Sequence, residues 1–183
     1  MAAGPADGSA DDTFADPELR DIVDAVRAVG IPVSRGAIPD DLLLPGVQID
    51  RGALVVDETK LLFAGDVLHE AGHVAVLPPS ERRQIVGLLP VDGGQEMAAL
   101  AWSYAMAIAF SLPLDVVFHD RFKSGGPWLR ETYSSGAMLG QPLLQLWGMT
   151  RLPDAPPGLE QLPVYPVMGK WLRDQEDPPI PAA

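Results

Sequence analysis

The sequence contains no cysteine, which excludes disulfide bonds and thiolate metal sites. Any bound metal must therefore be held by nitrogen and oxygen atoms. Basic residues are also few, with 13 Lys and Arg against 25 Asp and Glu, and they are scattered along the chain. Because nucleic-acid binding needs clustered positive charge, this balance argues against a nucleic-acid partner.

Long apolar runs are missing as well, and no stretch approaches the roughly 18 apolar residues of a transmembrane helix. The N-terminal segment, MAAGPADGSADDTF, lacks the basic region and apolar run of a secretory signal. We therefore expect a cytoplasmic protein with no membrane partner. At 183 residues and 47% hydrophobic, the chain has enough apolar material for one domain with a proper core.

Composition divides the chain into three parts. Residues 1–15 are mostly small and acidic, which predicts a disordered N-terminal segment. Residues 16–151 carry the apolar periodicity of a single folded domain. From 152 to 183 prolines recur, which favours an extended C-terminal arm with little regular structure.

Four segments of the domain have helical patterns. Residues 16–30 begin with Asp-Pro-Glu and end at glycine, as a capped helix does. Residues 60–77 are long and mostly apolar, which predicts a buried helix. Asp92 is predicted to cap a second apolar helix over 93–111. A third apolar helix, with interruptions, is predicted between 127 and 149.

Two β-rich runs precede the helix predicted over 60–77. Residues 47–50 and 53–57 flank Arg51-Gly52, which predicts a β-hairpin. The predicted fold class is therefore α+β, mainly helical, with a small β-hairpin or sheet before that helix.

The motif with the clearest chemistry is His69-Glu70-Ala71-Gly72-His73, which is H-E-x-x-H. On a helix, positions i and i+4 project from the same face, so both imidazoles can reach one Zn²⁺. Glu70 lies further round the helix and can address the water on the open coordination position of the metal. The spacing therefore predicts a zinc site on the helix over 60–77.

A catalytic zinc of this kind needs a third protein ligand. The metzincin continuation is excluded, because Val76 and Pro79 stand where that pattern requires glycine and the final histidine. Two candidates remain. His119 is the only other histidine, and Glu96 lies 23 residues after His73, near the start of the next predicted helix. Two antiparallel helices joined by a loop would bring Glu96 back to the motif.

The motif followed by Glu96 on an Ala-rich helix resembles the gluzincin arrangement. The closest resemblance is to the small ImmA/IrrE-like metallopeptidases. These minimal zincins have a strand, an H-E-x-G-H helix, and then a helix with Glu followed by Ala and an aromatic residue. Val55-Val56 and the segment 99–102 match that outline, and the resemblance covers about residues 50–111.

The resemblance implies a zinc-dependent metallopeptidase that hydrolyses a peptide or protein substrate. His69, His73 and Glu96 would hold Zn²⁺. Glu70 would act as general base, taking a proton from the metal-activated water and later delivering it to the leaving amine. By analogy with zincins, the strand over 53–57 would align an extended peptide by β-augmentation.

The zincin resemblance also implies a Tyr or His that stabilises the oxyanion. Tyr104, His119 and Tyr133 are the candidates, and the polar surroundings of Tyr133 favour it. Ligating histidines usually donate their second N–H to a carboxylate or carbonyl. Asp66 and Asp92 are the candidates for that support, although Asp92 is better explained as a helix cap.

A second hypothesis belongs to another functional class. A zincin-like scaffold can bind metal without turnover and act as a regulatory or protein-interaction module. Glu70 favours catalysis, because a purely structural site needs no general base. A structural zinc usually has four protein ligands, so a fourth ligand from His119 would favour the silent scaffold.

Overall fold

The computed structural model describes residues 13–40, 44–87, 92–123 and 125–177. This part of the chain is mainly helical α+β with one small sheet, which confirms the predicted fold class. In chain order the elements are α1 (Pro17–Ala28), β1 (Val33–Arg35), β2 (Val47–Asp50), β3 (Ala53–Val56), α2 (Ala64–Val76), α3 (Pro79–Arg82), α4 (Gly93–Phe110), α5 (Leu114–Val117), α6 (Gly126–Ser134) and α7 (Gln141–Leu146).

The sheet contains the predicted hairpin and one strand that was not predicted. Strands β2 and β3 are antiparallel, and the turn residues Arg51 and Gly52 have φ of 48° and 86°. Two positive φ values are typical of the tight turn whose twist matches a hairpin. Strand β1 pairs in parallel with β3, so the strand order is β1-β3-β2. Since β3 is hydrogen-bonded on both sides, the prediction that it aligns a peptide as an edge strand is wrong.

Local capping signals predicted the starts of α1 and α4. The Asp16 side chain accepts hydrogen bonds from the N–H groups of Glu18 and Leu19 at the start of α1. Asp92 caps α4 in the same way, by accepting from the N–H of Gly94 at 2.7 Å. Helix α2 is shorter than predicted and begins at residue 64. The helix predicted between 127 and 149 is divided into α6 and α7.

Helix α2 lies at the centre of the fold, against α4, α1 and the sheet. Its contact with α4 is unusually close at Gly72. A Cβ atom at this position would lie 2.8 Å from the carbonyl oxygen of Ala99 and 3.2 Å from Ser103 Oγ. A glycine on α2 therefore lets the motif helix approach the helix that carries Glu96.

The segment 152–177 has no helix or long strand, yet it packs onto the core. Trp102 Nε1 donates to the carbonyl oxygen of Trp171 at 2.8 Å, and the Tyr165 hydroxyl donates to that of Ala101 at 2.9 Å. Arg173 is 2% exposed. This proline-rich segment is therefore a packed cover over α2 and α4 in its described part.

The end of the predicted N-terminal segment is also packed. Phe14 is buried in the core, and Glu58 accepts hydrogen bonds from the N–H groups of Ala15 and Asp16. The rest of that segment, residues 1–12, lies outside the described residues. Among the described ranges, no helix is both long enough and apolar enough to cross a membrane.

Candidate metal centre

The two histidines of the motif and Glu96 meet between α2 and α4. His69 and His73 lie one turn apart on α2, and their Nε2 atoms are 3.1 Å apart. Glu96 lies in the first turn of α4, with Oε1 3.5 Å from His69 Nε2 and Oε2 3.1 Å from His73 Nε2. Two helices thus place one donor group from each of three side chains in a compact triangle.

The size and chemistry of this triangle fit a zinc ion. Ligands at about 2.0–2.2 Å in tetrahedral geometry lie about 3.3 Å from one another. The two Nε2 atoms lie 3.1 Å apart, and each lies 3.1–3.5 Å from one of the two carboxylate oxygens of Glu96. Glu96 Oε1 is buried and has no hydrogen-bond partner within the described part of the chain. A buried carboxylate oxygen without a donor is costly, and a cation would satisfy it.

Glu70 belongs to the same cluster. One possible ligand atom each from His69, Glu70 and His73 lie within 4.8 Å of one another, a grouping that could itself hold a metal ion. The structure therefore brings together four predicted site residues, the three of this group and Glu96. Glu70 therefore lies beside the two histidines of the ligand triangle, on the same helix.

The environment sets the protonation states of these groups. Burial lowers the pKa of His69 to about 4, so the ring is neutral at pH 7, as a metal ligand must be. Burial works to raise the pKa of Glu96, but the close approach of the His69 and His73 rings to its carboxylate outweighs burial and keeps the pKa below its usual range. Lys123 adds to this effect, with Nζ 3.2 Å from Glu96 Oε2. Burial raises the pKa of Glu70.

His119 lies outside the ligand triangle and pairs with a carboxylate. Its Nε2 lies 3.1 Å from Asp66 Oδ1, and its ring stacks on Phe63 with centroids 3.8 Å apart. Asp66 therefore supports His119, whereas His69 Nδ1 is buried without a partner among the residues described. Neither Asp66, which pairs with His119, nor Asp92, which caps α4, provides the carboxylate support that was predicted for the ligating histidines.

Tyr133 has a packing role in the core. It is 3% exposed, its hydroxyl donates to the carbonyl oxygen of Leu139 at 2.9 Å, and burial raises its pKa. Its ring stacks against Tyr104 on one side and Phe118 on another. Tyr104 also stacks with Tyr165. The structure therefore does not bring Tyr133 or Tyr104 into the cluster with His69.

A cleft of about 180 Å³ opens beside His69, and four of its ten lining residues come from the loop after α5. Among the three candidates for the oxyanion role, His119 is the one that lines this cleft. The other lining residues are Leu44, Pro45, Leu62, Phe63, Asp66, Arg121, Phe122 and Lys123. Sequence reasoning missed Arg121 and Lys123. The available signal was the presence of two cations within four residues after His119 in a strongly acidic chain.

No protein-family model matches this chain, and no curated protein or solved structure was found to be similar to it. The resemblance to the gluzincins therefore rests only on the motif residues and Glu96. What the site can do follows from the geometry of four side chains, those of His69, Glu70, His73 and Glu96.

Proposed function

We propose that this protein is a zinc-dependent metallopeptidase that hydrolyses peptide bonds. The observation that carries the proposal is the convergence of His69, His73 and Glu96: the two Nε2 atoms lie 3.1 Å apart, and each lies 3.1–3.5 Å from an oxygen of the Glu96 carboxylate. Two imidazoles and one carboxylate are a ligand set that zinc uses in catalytic sites, where one coordination position stays open to water.

The position of His119 supports an open site. A structural zinc usually has four protein ligands, and His119 was the candidate for a fourth. Its Nε2 is engaged by Asp66 at 3.1 Å instead. With three protein ligands and an adjacent carboxylate, the cluster is better suited to catalysis than to a closed structural site.

The residues of the chain then have distinct roles. When bound, zinc lowers the pKa of a coordinated water and polarises a substrate carbonyl group. Glu70 accepts the proton of the attacking water and later delivers it to the leaving amine nitrogen. Among the candidates for stabilising negative charge on the substrate oxygen, His119 is the one that lines the cleft next to His69; because its Nε2 is engaged by Asp66, the donor would be the N–H of its Nδ1. It takes the role predicted for Tyr133.

Metal content, measured by mass spectrometry on the untagged protein, tests the ligand set. We expect near-stoichiometric zinc in the parent and in His119→Ala, and loss of zinc in Glu96→Ala. Zinc lost in His119→Ala but retained in Glu96→Ala would exclude the gluzincin ligand set. A parent protein that takes up no metal after zinc is added back would exclude the metallopeptidase proposal altogether.

Hydrolysis of a peptide library by the zinc-loaded protein tests catalysis. Glu70→Gln should keep its zinc and lose about 10²–10⁴-fold in rate, because it removes the general base. Glu81→Gln, at an exposed position on α3, is the matched control and should retain full activity. A zinc-loaded parent that cleaves no peptide would favour the alternative, a silent zincin-like scaffold that acts as a regulatory or interaction module.

A further inference from the structure

The charge of the cleft is opposite to that of the whole chain. Acids outnumber bases 25 to 13 in the sequence, yet the cleft lining contains two cations, Arg121 and Lys123, and one carboxylate, Asp66. That carboxylate is paired with His119. An excess of one sign of charge in a cleft raises the local concentration of ligands of the opposite sign. The cleft next to His69 therefore favours an anionic group.

Arg121 is the cation that remains available for such a group. Lys123 is held by Glu96 at 3.2 Å, and the neighbouring Arg130 is held by Asp120 at 2.8 Å. The Arg121 side chain makes no ion pair or hydrogen bond with any residue in the described ranges. Its one contact of note is with the ring of Phe63, whose centroid lies 5.7 Å from the guanidinium carbon.

A guanidinium over an aromatic ring is well prepared to bind a carboxylate. The ring contact restricts the position of the Arg121 side chain, while its in-plane N–H groups keep the fork geometry that matches a carboxylate. Such charge-assisted bidentate pairs are among the stronger hydrogen-bonded contacts in proteins. The arrangement of Arg121 on Phe63 thus favours a planar anion over a simple point charge.

The remaining wall of the cleft is apolar. Leu44, Leu62, Phe63 and Phe122 line it, and Leu62 is 62% exposed. A ligand that covers Leu62 would remove apolar surface from water, which is favourable. The cleft is therefore suited to a group that carries a carboxylate next to an apolar side chain.

We propose that Arg121 binds a carboxylate of the peptide substrate in this cleft, with a neighbouring apolar side chain against Leu62 and Phe122. The inference rests on the proposed function, because His69 lines the same cleft and so places the bound peptide beside the metal cluster. The carboxylate belongs either to the C-terminus of the peptide or to an Asp or Glu side chain. Arg121 is thus a specificity-determining residue.

Binding of two small probes of equal shape tests this assignment. The probes are 3-phenylpropionate and 3-phenylpropionamide, titrated by NMR into the full chain in its zinc-loaded and its metal-free form. We expect the carboxylate to bind about tenfold more tightly than the amide in both forms. The preference should disappear in Arg121→Gln. It should persist in Arg20→Gln, which changes an exposed arginine on α1 that lies outside the cleft lining.

Several outcomes would overturn the assignment. These are equal binding of the two probes, a preference that survives Arg121→Gln, and a preference lost equally in Arg20→Gln, which would be an effect of net charge. A preference present only with zinc would mean that the carboxylate binds the metal. The metal-free measurement does not depend on hydrolysis, so failure of the proposed function is recognised separately. Thermal melts by circular dichroism check that both variants fold.

Three peptides then distinguish the two sources of the carboxylate. N-acetyl-Ala-Phe offers a C-terminal carboxylate, N-acetyl-Ala-Phe-amide offers none, and N-acetyl-Glu-Phe-amide offers a side-chain carboxylate. If Arg121→Gln weakens the binding of N-acetyl-Ala-Phe alone, the carboxylate is that of the C-terminus. If it weakens the binding of N-acetyl-Glu-Phe-amide alone, the carboxylate is that of the side chain. If Arg121→Gln changes the affinity of neither, the proposal is wrong.

Discussion

The C-terminal end of α2 and its metal-binding face are built on different principles. At the C-terminal end, the Arg82 side chain donates to the carbonyl oxygens of Val74, Ala75 and Leu77 at 2.8–3.3 Å. The main-chain N–H of Arg173 also donates to Ala75, at 2.9 Å. The carbonyl groups that a helix leaves unpaired at this end are therefore supplied with donors from α3 and from the C-terminal segment.

The metal-binding face of α2 and its surroundings keep polar atoms without partners. Three of the five such buried atoms in the described ranges lie here, namely His69 Nδ1, Glu96 Oε1 and His119 Nδ1; the other two are Asp50 Oδ1 and Arg173 Nε. Unpaired buried polar groups reduce stability, and natural proteins concentrate such exceptions at functional sites. We infer that the hydrogen bonds at the C-terminal end of α2 offset the stability that is lost to the unpaired buried atoms of the metal-binding face.

If the two regions are separable, Arg82→Met should reduce stability and leave zinc binding intact. The substitution removes donors to the α2 carbonyls of Val74 and Ala75, to that of the following Leu77 and to that of Arg173, so we expect the free energy of unfolding to fall by about 3 kcal/mol. The zinc dissociation constant should change by less than about threefold, because these hydrogen bonds of Arg82 reach main-chain carbonyl groups and none of the ligand side chains. Urea unfolding and competition with a zinc chelator measure the two quantities.

Arg83→Met is the control for this experiment. Arg83 is exposed and follows Arg82 directly, so the control makes the same change of side chain without removing donors from α2. We expect its stability to stay within about 0.5 kcal/mol of the parent. A loss of zinc affinity in Arg82→Met as large as its loss of stability would contradict the separation of the two regions.

Gly72→Ala should affect both properties, because Gly72 lies where α2 meets α4. The added methyl group would lie 2.8 Å from the Ala99 carbonyl oxygen, so α4 must shift. We expect about 2 kcal/mol of lost stability from overpacking. Because α4 carries Glu96, zinc affinity should also fall, by about tenfold.

The matched control for Gly72→Ala is Gly93→Ala, at the first residue of α4, where an added Cβ meets nothing within 4 Å. It should leave zinc affinity and stability close to the parent values. Unchanged zinc affinity in Gly72→Ala, despite lost stability, would show that the ligand triangle tolerates a displacement of α4. The same unfolding and chelator measurements decide between these outcomes.

Local chemistry explains what could be predicted from the sequence. The caps at Asp16 and Asp92 and the turn at Arg51-Gly52 are each determined by a few adjacent residues, and the structure contains all three. Strand β1 was missed because it is three residues long and is stabilised by parallel pairing with β3, a contact between distant parts of the chain. Short segments of this kind carry little periodicity of their own.

In the candidate site, too, some positions follow from the local sequence and others depend on contacts between distant parts of the chain. Helical spacing alone puts His69 and His73 on one face, whereas the position of Glu96 depends on how closely α2 and α4 pack. Gly72 was a usable signal for that close approach. The pairing of Asp66 with His119 carried no comparable signal, since the two residues are 53 positions apart and meet through the loop after α5.

Tyr133→Phe tests the one predicted site residue that the structure assigns to the core. The substitution removes the hydrogen bond from the Tyr133 hydroxyl to the Leu139 carbonyl, so we expect about 1 kcal/mol of lost stability. Tyr104→Phe, in the same aromatic stack, is the control, because no hydrogen bond of its hydroxyl is seen in the described part of the chain. Peptide hydrolysis should be unchanged in both variants, whereas removal of an oxyanion donor would reduce the rate by about 10²–10³-fold. A rate loss of that size in Tyr133→Phe at parental stability would return this residue to the site and exclude the role proposed for His119.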